Sequence, residues 1–97
     1  MLAEKKFEST VKRFLKAHNI YHFKVWGGGF QTAGIPDLIA CVQGKFVAIE
    51  IKAAQGKPSK LQLFNIQKIK ESGGVGLILY PQDFEKFKNM ILKMLGE

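Results

Sequence analysis

Three residues in the middle of the chain, Asp37, Glu50 and Lys52, have types and a spacing that point to chemistry. The segment Phe46-Val47-Ala48-Ile49-Glu50-Ile51-Lys52 is otherwise apolar and reads as a buried strand. Side chains alternate across a strand, so Glu50 and Lys52 share one face while Val47, Ile49 and Ile51 fill the other. A carboxylate and an ammonium at the end of such a strand are costly unless paired, hydrated or coordinated. A plain Glu–Lys pair at a sheet rim would account for those two alone. Asp37 changes the reading. It follows Gly34-Ile35-Pro36 and opens the preceding strand, Asp37 to Gln43. Gly44-Lys45 reads as the tight turn of a hairpin, and counting back from it sets Asp37 close to Glu50–Lys52. Two carboxylates held together repel unless a proton or a cation lies between them. Oxygen ligands favour a hard cation such as Mg²⁺ or Mn²⁺, which keeps several waters and accepts phosphate oxygens.

The elements that must position this trio follow from periodicity. Glu4 to Ala17 reads as a helix, with Phe7, Val11, Phe14 and Leu15 on one side and Lys12, Arg13 and Lys16 on the other. Asn19 suits a left-handed stop. Ile20 to Trp26 reads as a strand, and the segment from Gly27 to Pro36 as a loop. After the hairpin and a loop over Ala53 to Pro58, Ser59 and Gln62 form a capping box that starts a second helix. That helix runs to about Ser72 and stops at Gly73-Gly74. Val75 to Tyr80 is a further strand, parallel to the one before it because a helical crossover joins them. Pro81 starts a last helix carrying Phe84, Phe87, Ile91, Leu92 and Leu95, whose apolar side suits core packing or a dimer interface. The order is αβββαβα, an α/β fold with a central mixed sheet flanked by helices.

Composition sets the limits. Ninety-seven residues suit one domain, 1–97, with one modest core. Fifteen Lys and Arg against eight Asp and Glu give a net charge of +7, which favours a polyanionic partner. The one cysteine, Cys41, excludes an internal disulfide and a Cys-rich zinc site. It sits mid-strand among apolar neighbours and reads as core rather than nucleophile. The N-terminus lacks the apolar stretch of a signal peptide, and the longest clean apolar run, Leu38 to Val42, is far short of the roughly 18 residues that span a bilayer. A reducing, cytoplasmic setting is the expectation. His18 and His22 fall either side of the helix stop, no H-E-x-x-H occurs, and the glycine triplet lacks a following Gly-Lys-Ser/Thr.

Gly34-Ile35-Pro36-Asp37-Leu38-Ile39, then Glu50-Ile51-Lys52, then Ser59-x-x-Gln62, resembles the PD-(D/E)xK nuclease superfamily. The flanking motifs look most like its virus-type replication-repair branch, VRR-NUC, which is similar in core to archaeal Holliday junction resolvases and to the Fanconi-associated nuclease. The resemblance runs from about Phe7 to about Tyr80 by motif order. It implies a restriction-endonuclease-like core with Asp37 as the central metal ligand, Glu50 as the second, and the Ile51 backbone carbonyl completing the protein's share. Lys52 would position or deprotonate the attacking water, or stay charged and stabilise the transition state; both roles stay open. Glu8 matches the family's N-terminal acidic residue, which contacts the metal or its water; on pattern alone it is a helix-surface residue. Gln62 matches the family's glutamine beside its capping role. One metal or two stays open.

The implied activity is a Mg²⁺- or Mn²⁺-dependent, structure-selective DNA endonuclease acting on a four-way junction as a homodimer, with a phage-type origin and no membrane partner. Two alternatives stand beside it: a non-catalytic basic module of the same fold that binds nucleic acid, and a nuclease preferring flaps, other branched DNA, single strands or RNA. Lys12, Arg13, Lys57 and Lys60 are candidate phosphate contacts, each worth about −0.9 in the salt slope. Lys5, Lys6, Lys16, Lys68 and Lys70 extend the same track, about half of the set being ordinary solvated lysines. Gln31, with Phe30 in the glycine loop, is a candidate DNA contact ahead of Asp37. With almost no arginine for base readout and no recognition helix, shape rather than sequence should be recognised.

Overall fold

The computed structural model describes residues 2–26 and 33–97. Its elements are α1 (Leu2–Ala17), β1 (Tyr21–Lys24), β2 (Leu38–Val42), β3 (Lys45–Ile51), α2 (Lys60–Glu71), β4 (Val75–Leu79), a single 3₁₀ turn at Pro81–Asp83, and α3 (Phe84–Met94). The order is αβββαβα, as expected. The strands lie in the order β1-β2-β3-β4; β1, β2 and β3 pair antiparallel, and β4 runs parallel to β3. This is a mixed sheet with a restriction-endonuclease-like core topology.

Local chemistry explains the boundaries. Asn19 ends α1 with φ of 58°, the left-handed conformation a short polar side chain tolerates. The hairpin turn is Gln43-Gly44, not Gly44-Lys45: both turn residues have positive φ, 52° and 80°, and Val42 pairs with Lys45. Two successive left-handed residues match the right-handed twist of the flanking strands. β1 stops at Lys24 rather than Trp26, and Pro81 opens a 3₁₀ turn before α3 rather than α3 itself.

The two faces of the sheet are covered differently. Val47, Ile49 and Ile51 of β3 join Leu38, Ala40 and Val42 of β2, all buried, beneath Phe7, Val11 and Leu15 of α1 and Phe87 and Ile91 of α3. Phe14 and Phe84 close that layer, each edge-on to a neighbouring ring, with centroids 5.7 to 6.0 Å apart. On the opposite face α2 lies over β3 and β4, with Ile66 its buried residue. It comes close there because β4 carries Gly76: a Cβ at that position would stand 2.9 Å from the Ile66 carbonyl oxygen. Tyr21 and Phe23 of β1 and Cys41 of β2 lie on this second face away from α2, Phe46 at the start of β3 lies at its edge beside Ile69, and all four are exposed. Cys41 is therefore not a core residue. Its neighbours in the chain are apolar, but α2 covers β3 and β4 on its face of the sheet and leaves Cys41 exposed.

Candidate active site

β3 ends the site's strand where the sheet is most enclosed. Glu50 pairs in register with Ile78 of β4, and the Lys52 amide donates to the Leu79 carbonyl at 3.0 Å, so this stretch of backbone is held by the parallel neighbour. The Leu38–Ile49 pair carries the hairpin register one step on to bring Asp37 opposite Glu50. Asp37 is tied down from both sides. Its carbonyl accepts from the Val25 amide at 2.8 Å, and its Oδ2 accepts from the Ile51 amide at 2.7 Å. Ile51 thus meets Asp37 through its backbone N–H.

The loop before Asp37 is anchored to α2. Gly34 has φ of +83°, and a Cβ there would stand 2.7 Å from Leu61 Cγ and 2.9 Å from the Leu61 carbonyl carbon. A side chain at 34 would face both a strained backbone and an occupied space. Pro36 behind it is buried.

α2 delivers Gln62. Ser59 Oγ accepts from the Gln62 amide at 3.1 Å, and Gln62 Oε1 accepts from the Ser59 amide at 2.8 Å, a complete capping box. The same side chain's Nε2 donates to Glu50 Oε2 at 2.9 Å. One amide therefore starts the helix with its oxygen and orients a carboxylate with its nitrogen. Lys52 Nζ stands 3.5 Å from the same Oε2.

That leaves Glu50 Oε1 with no hydrogen-bond partner, in a residue only 3 % exposed. Burial pushes the Glu50 carboxyl up from 4.5 to about 7, the Asp37 carboxylate pushes it the same way, and Lys52 opposes both. An ionised carboxylate oxygen in this position costs free energy until a proton or a cation meets it. A hard divalent cation between Asp37 and Glu50 would satisfy Oε1 and relieve the repulsion together, so the donor set fits Mg²⁺ or Mn²⁺.

Asp37, Glu50, Lys52 and Gln62 are thus brought together. Glu8 is not part of the set: among the described residues, no third carboxylate, histidine or cysteine joins Asp37 and Glu50. Glu8 faces β1, where Lys24 Nζ donates to its Oε1 at 3.0 Å, and Lys12 lies 3.9 Å from its Oε2. Lys24 is the partner the sequence reading missed; a contact sixteen residues apart between helix and strand leaves no local pattern. Of the candidate phosphate contacts, Lys57 and Lys60 are exposed beside the start of α2. Arg13 is exposed and donates to Thr10 Oγ1 at 3.3 Å, while Lys12 is partly committed to Glu8. Gln31 lies outside the described residues.

A family model described as archaeal Holliday junction resolvase (Hjc) matches residues 4–88. No curated protein and no solved structure gives a match.

Proposed function

The chain belongs to the archaeal Holliday junction resolvase family, within the PD-(D/E)xK nuclease superfamily, and from that premise we propose that Asp37, Glu50, Lys52 and Gln62 form a divalent-metal-dependent active site for phosphodiester hydrolysis in branched DNA. The family makes the chain a nuclease acting on DNA. The narrower likeness to the virus-type branch remains one of motif order. The observation that carries the site is the buried, unpartnered Glu50 Oε1 set against Asp37. The family's name favours a four-way junction as substrate, and two symmetric nicks on such a junction suit a homodimer.

In this reading Asp37 and Glu50 hold Mg²⁺ or Mn²⁺, which supplies an acidified water and neutralises charge on the phosphate when bound. The rest falls to the chain. Gln62 holds Oε2 of Glu50 and so leaves Oε1 to face its ligand. The Ile51 amide fixes one oxygen of Asp37 in the same way. Lys52 Nζ stands 3.5 Å from Glu50 Oε2, where it either stabilises the developing negative charge as an ammonium or, as the free amine, takes the proton of the attacking water. Lys57 and Lys60 then supply phosphate contacts beside this site, with Lys12 and Arg13 on α1. Lys24 and Glu8 pair with each other outside the set.

The test is cleavage of labelled four-way junction, flap, linear duplex and single-stranded DNA with Mg²⁺, Mn²⁺, Ca²⁺ or EDTA. Metal-dependent cutting of the junction is expected, and Asp37→Ala should lower it by roughly 10³-fold or more while DNA binding is kept or tightened. Cutting of several substrates would keep the nuclease and drop the junction preference. Normal cutting by Asp37→Ala would end the site assignment. Salt-sensitive binding without any cutting would favour the binding module.

A further inference from the structure

Trp26 is the chain's one tryptophan, and it is 72 % exposed. An indole left in water forgoes a large apolar burial, and this one has no part in the core that α1, α3 and the sheet enclose. Its surroundings are specific. Lys24 Nζ stands 5.4 Å from the ring centroid, held by its 3.0 Å bond to Glu8. The preceding residue, Val25, donates its amide to the Asp37 carbonyl at 2.8 Å, which joins the backbone beside Trp26 to the start of the segment that carries Asp37. An ammonium beside an open aromatic face is the chemistry that receives a nucleobase together with its phosphate.

Resting on the DNA reading above, we propose that Trp26, backed by Lys24, is a stacking site for one exposed nucleobase face, and that it determines specificity for branched over continuous duplex. Inside a continuous duplex both faces of every base are already stacked, so the indole finds no partner. At a crossover, a gap or a frayed end, one face is free. Stacking on an aromatic side chain is tolerant of base identity, so the site reads the presence of a branch and not its sequence.

The single tryptophan makes the test direct. The whole chain, in EDTA, is titrated with a four-way junction whose arms are closed by hairpins, and with a linear duplex closed at both ends. Tryptophan fluorescence is recorded on the unmodified DNAs, and affinity is measured in parallel by anisotropy of labelled ones. The expected result is quenching by the junction and little by the closed duplex. Trp26→Ala should weaken junction binding by about 5- to 100-fold with the closed duplex changed by less than about 2-fold, and Trp26→Phe should keep most of the junction affinity. Binding of both DNAs with no quenching, equal quenching by both, or equal loss of both affinities in Trp26→Ala would overturn the stacking site and leave the nuclease reading standing. Binding of neither DNA would remove that reading and the stacking site with it. Loss of function in Trp26→Ala through contact with a protein partner would show as unchanged anisotropy on both DNAs, which also overturns it.

Discussion

The two faces of the sheet divide the work of the molecule. The face beneath α1 and α3 is closed: Leu38, Val42, Val47, Ile49 and Ile51 are buried there among apolar side chains, with no charged residue among them. The face beneath α2 is covered over β3 and β4 and open over β1 and much of β2, and it holds the one buried charged residue among those described, Glu50. The first face gains stability from apolar burial at roughly 1.5–3 kcal/mol per large side chain. The second gives some of that up. A carboxylate occupies a position where an apolar residue would pack without penalty, and its cost is held down by Gln62 and Lys52 rather than removed. The lesson is that an incompletely satisfied carboxylate on one face is made tolerable by complete packing on the other.

The comparison can be broken first at the closed face. Ile49→Ala removes a fully buried side chain from it and should lower stability by about 2–5 kcal/mol, read by denaturant unfolding. A cost below about 1 kcal/mol would mean that this face is not the stabilising one.

The next effect lies across the same strand and has the opposite sign. Glu50 is raised from 4.5 to about 7 in the folded chain, so the folded state binds the proton more tightly than the unfolded one. Its contribution is present in full below pH 4.5 and is lost as pH rises to about 7, at most roughly 3 kcal/mol in all. Glu50→Gln should therefore raise the Tm of the metal-free protein at pH 8 and change it little at pH 4.5, while abolishing any stabilisation by Mg²⁺. Equal effects at both pH values would show that the charge is not the source of the cost.

The smallest effect separates the two jobs of one side chain. Ser59→Ala and Gln62→Ala both break the capping box and should each cost about 1 kcal/mol of stability. Only Gln62→Ala also frees the Glu50 carboxylate, so only it should lower the rate of cleavage, by about 10-fold on the scale of one lost orienting hydrogen bond. Equal rates in the two variants would reduce Gln62 to a cap.

Much of this was legible in the order of residues. The alternation through β3 separates Glu50 from Ile49 and Ile51 by face, and the Ser59–Gln62 spacing marks the start of α2, because both signals are local and periodic. The failures are tertiary. Cys41 reads as core because strand patterning shows which residues share a face but not whether a helix covers it. Glu8 matches a metal contact by motif position, and the pairing of its carboxylate with Lys24 comes from a strand that nothing in α1 announces. Trp26 reads as the end of a strand because its residue type favours one, but pairing with β2 stops two residues earlier, at Lys24. In each case the missing information is which element arrives from elsewhere in the chain.

The turn at Gln43-Gly44 has a consequence for how this chain can change length. It lies at the far end of the hairpin from Asp37 and Glu50, yet it decides that these two stand opposite one another. Most surface connections absorb an added residue at little cost. An added residue here must either bulge out or slide β2 by one step, and a slide turns Leu38, Ala40 and Val42 outward while Ile39 and Cys41 turn in. The distance between the two carboxylates is thereby written into the number of residues joining them. A single-codon insertion or deletion that slides the register would part Asp37 from Glu50 at a turn that carries neither of them.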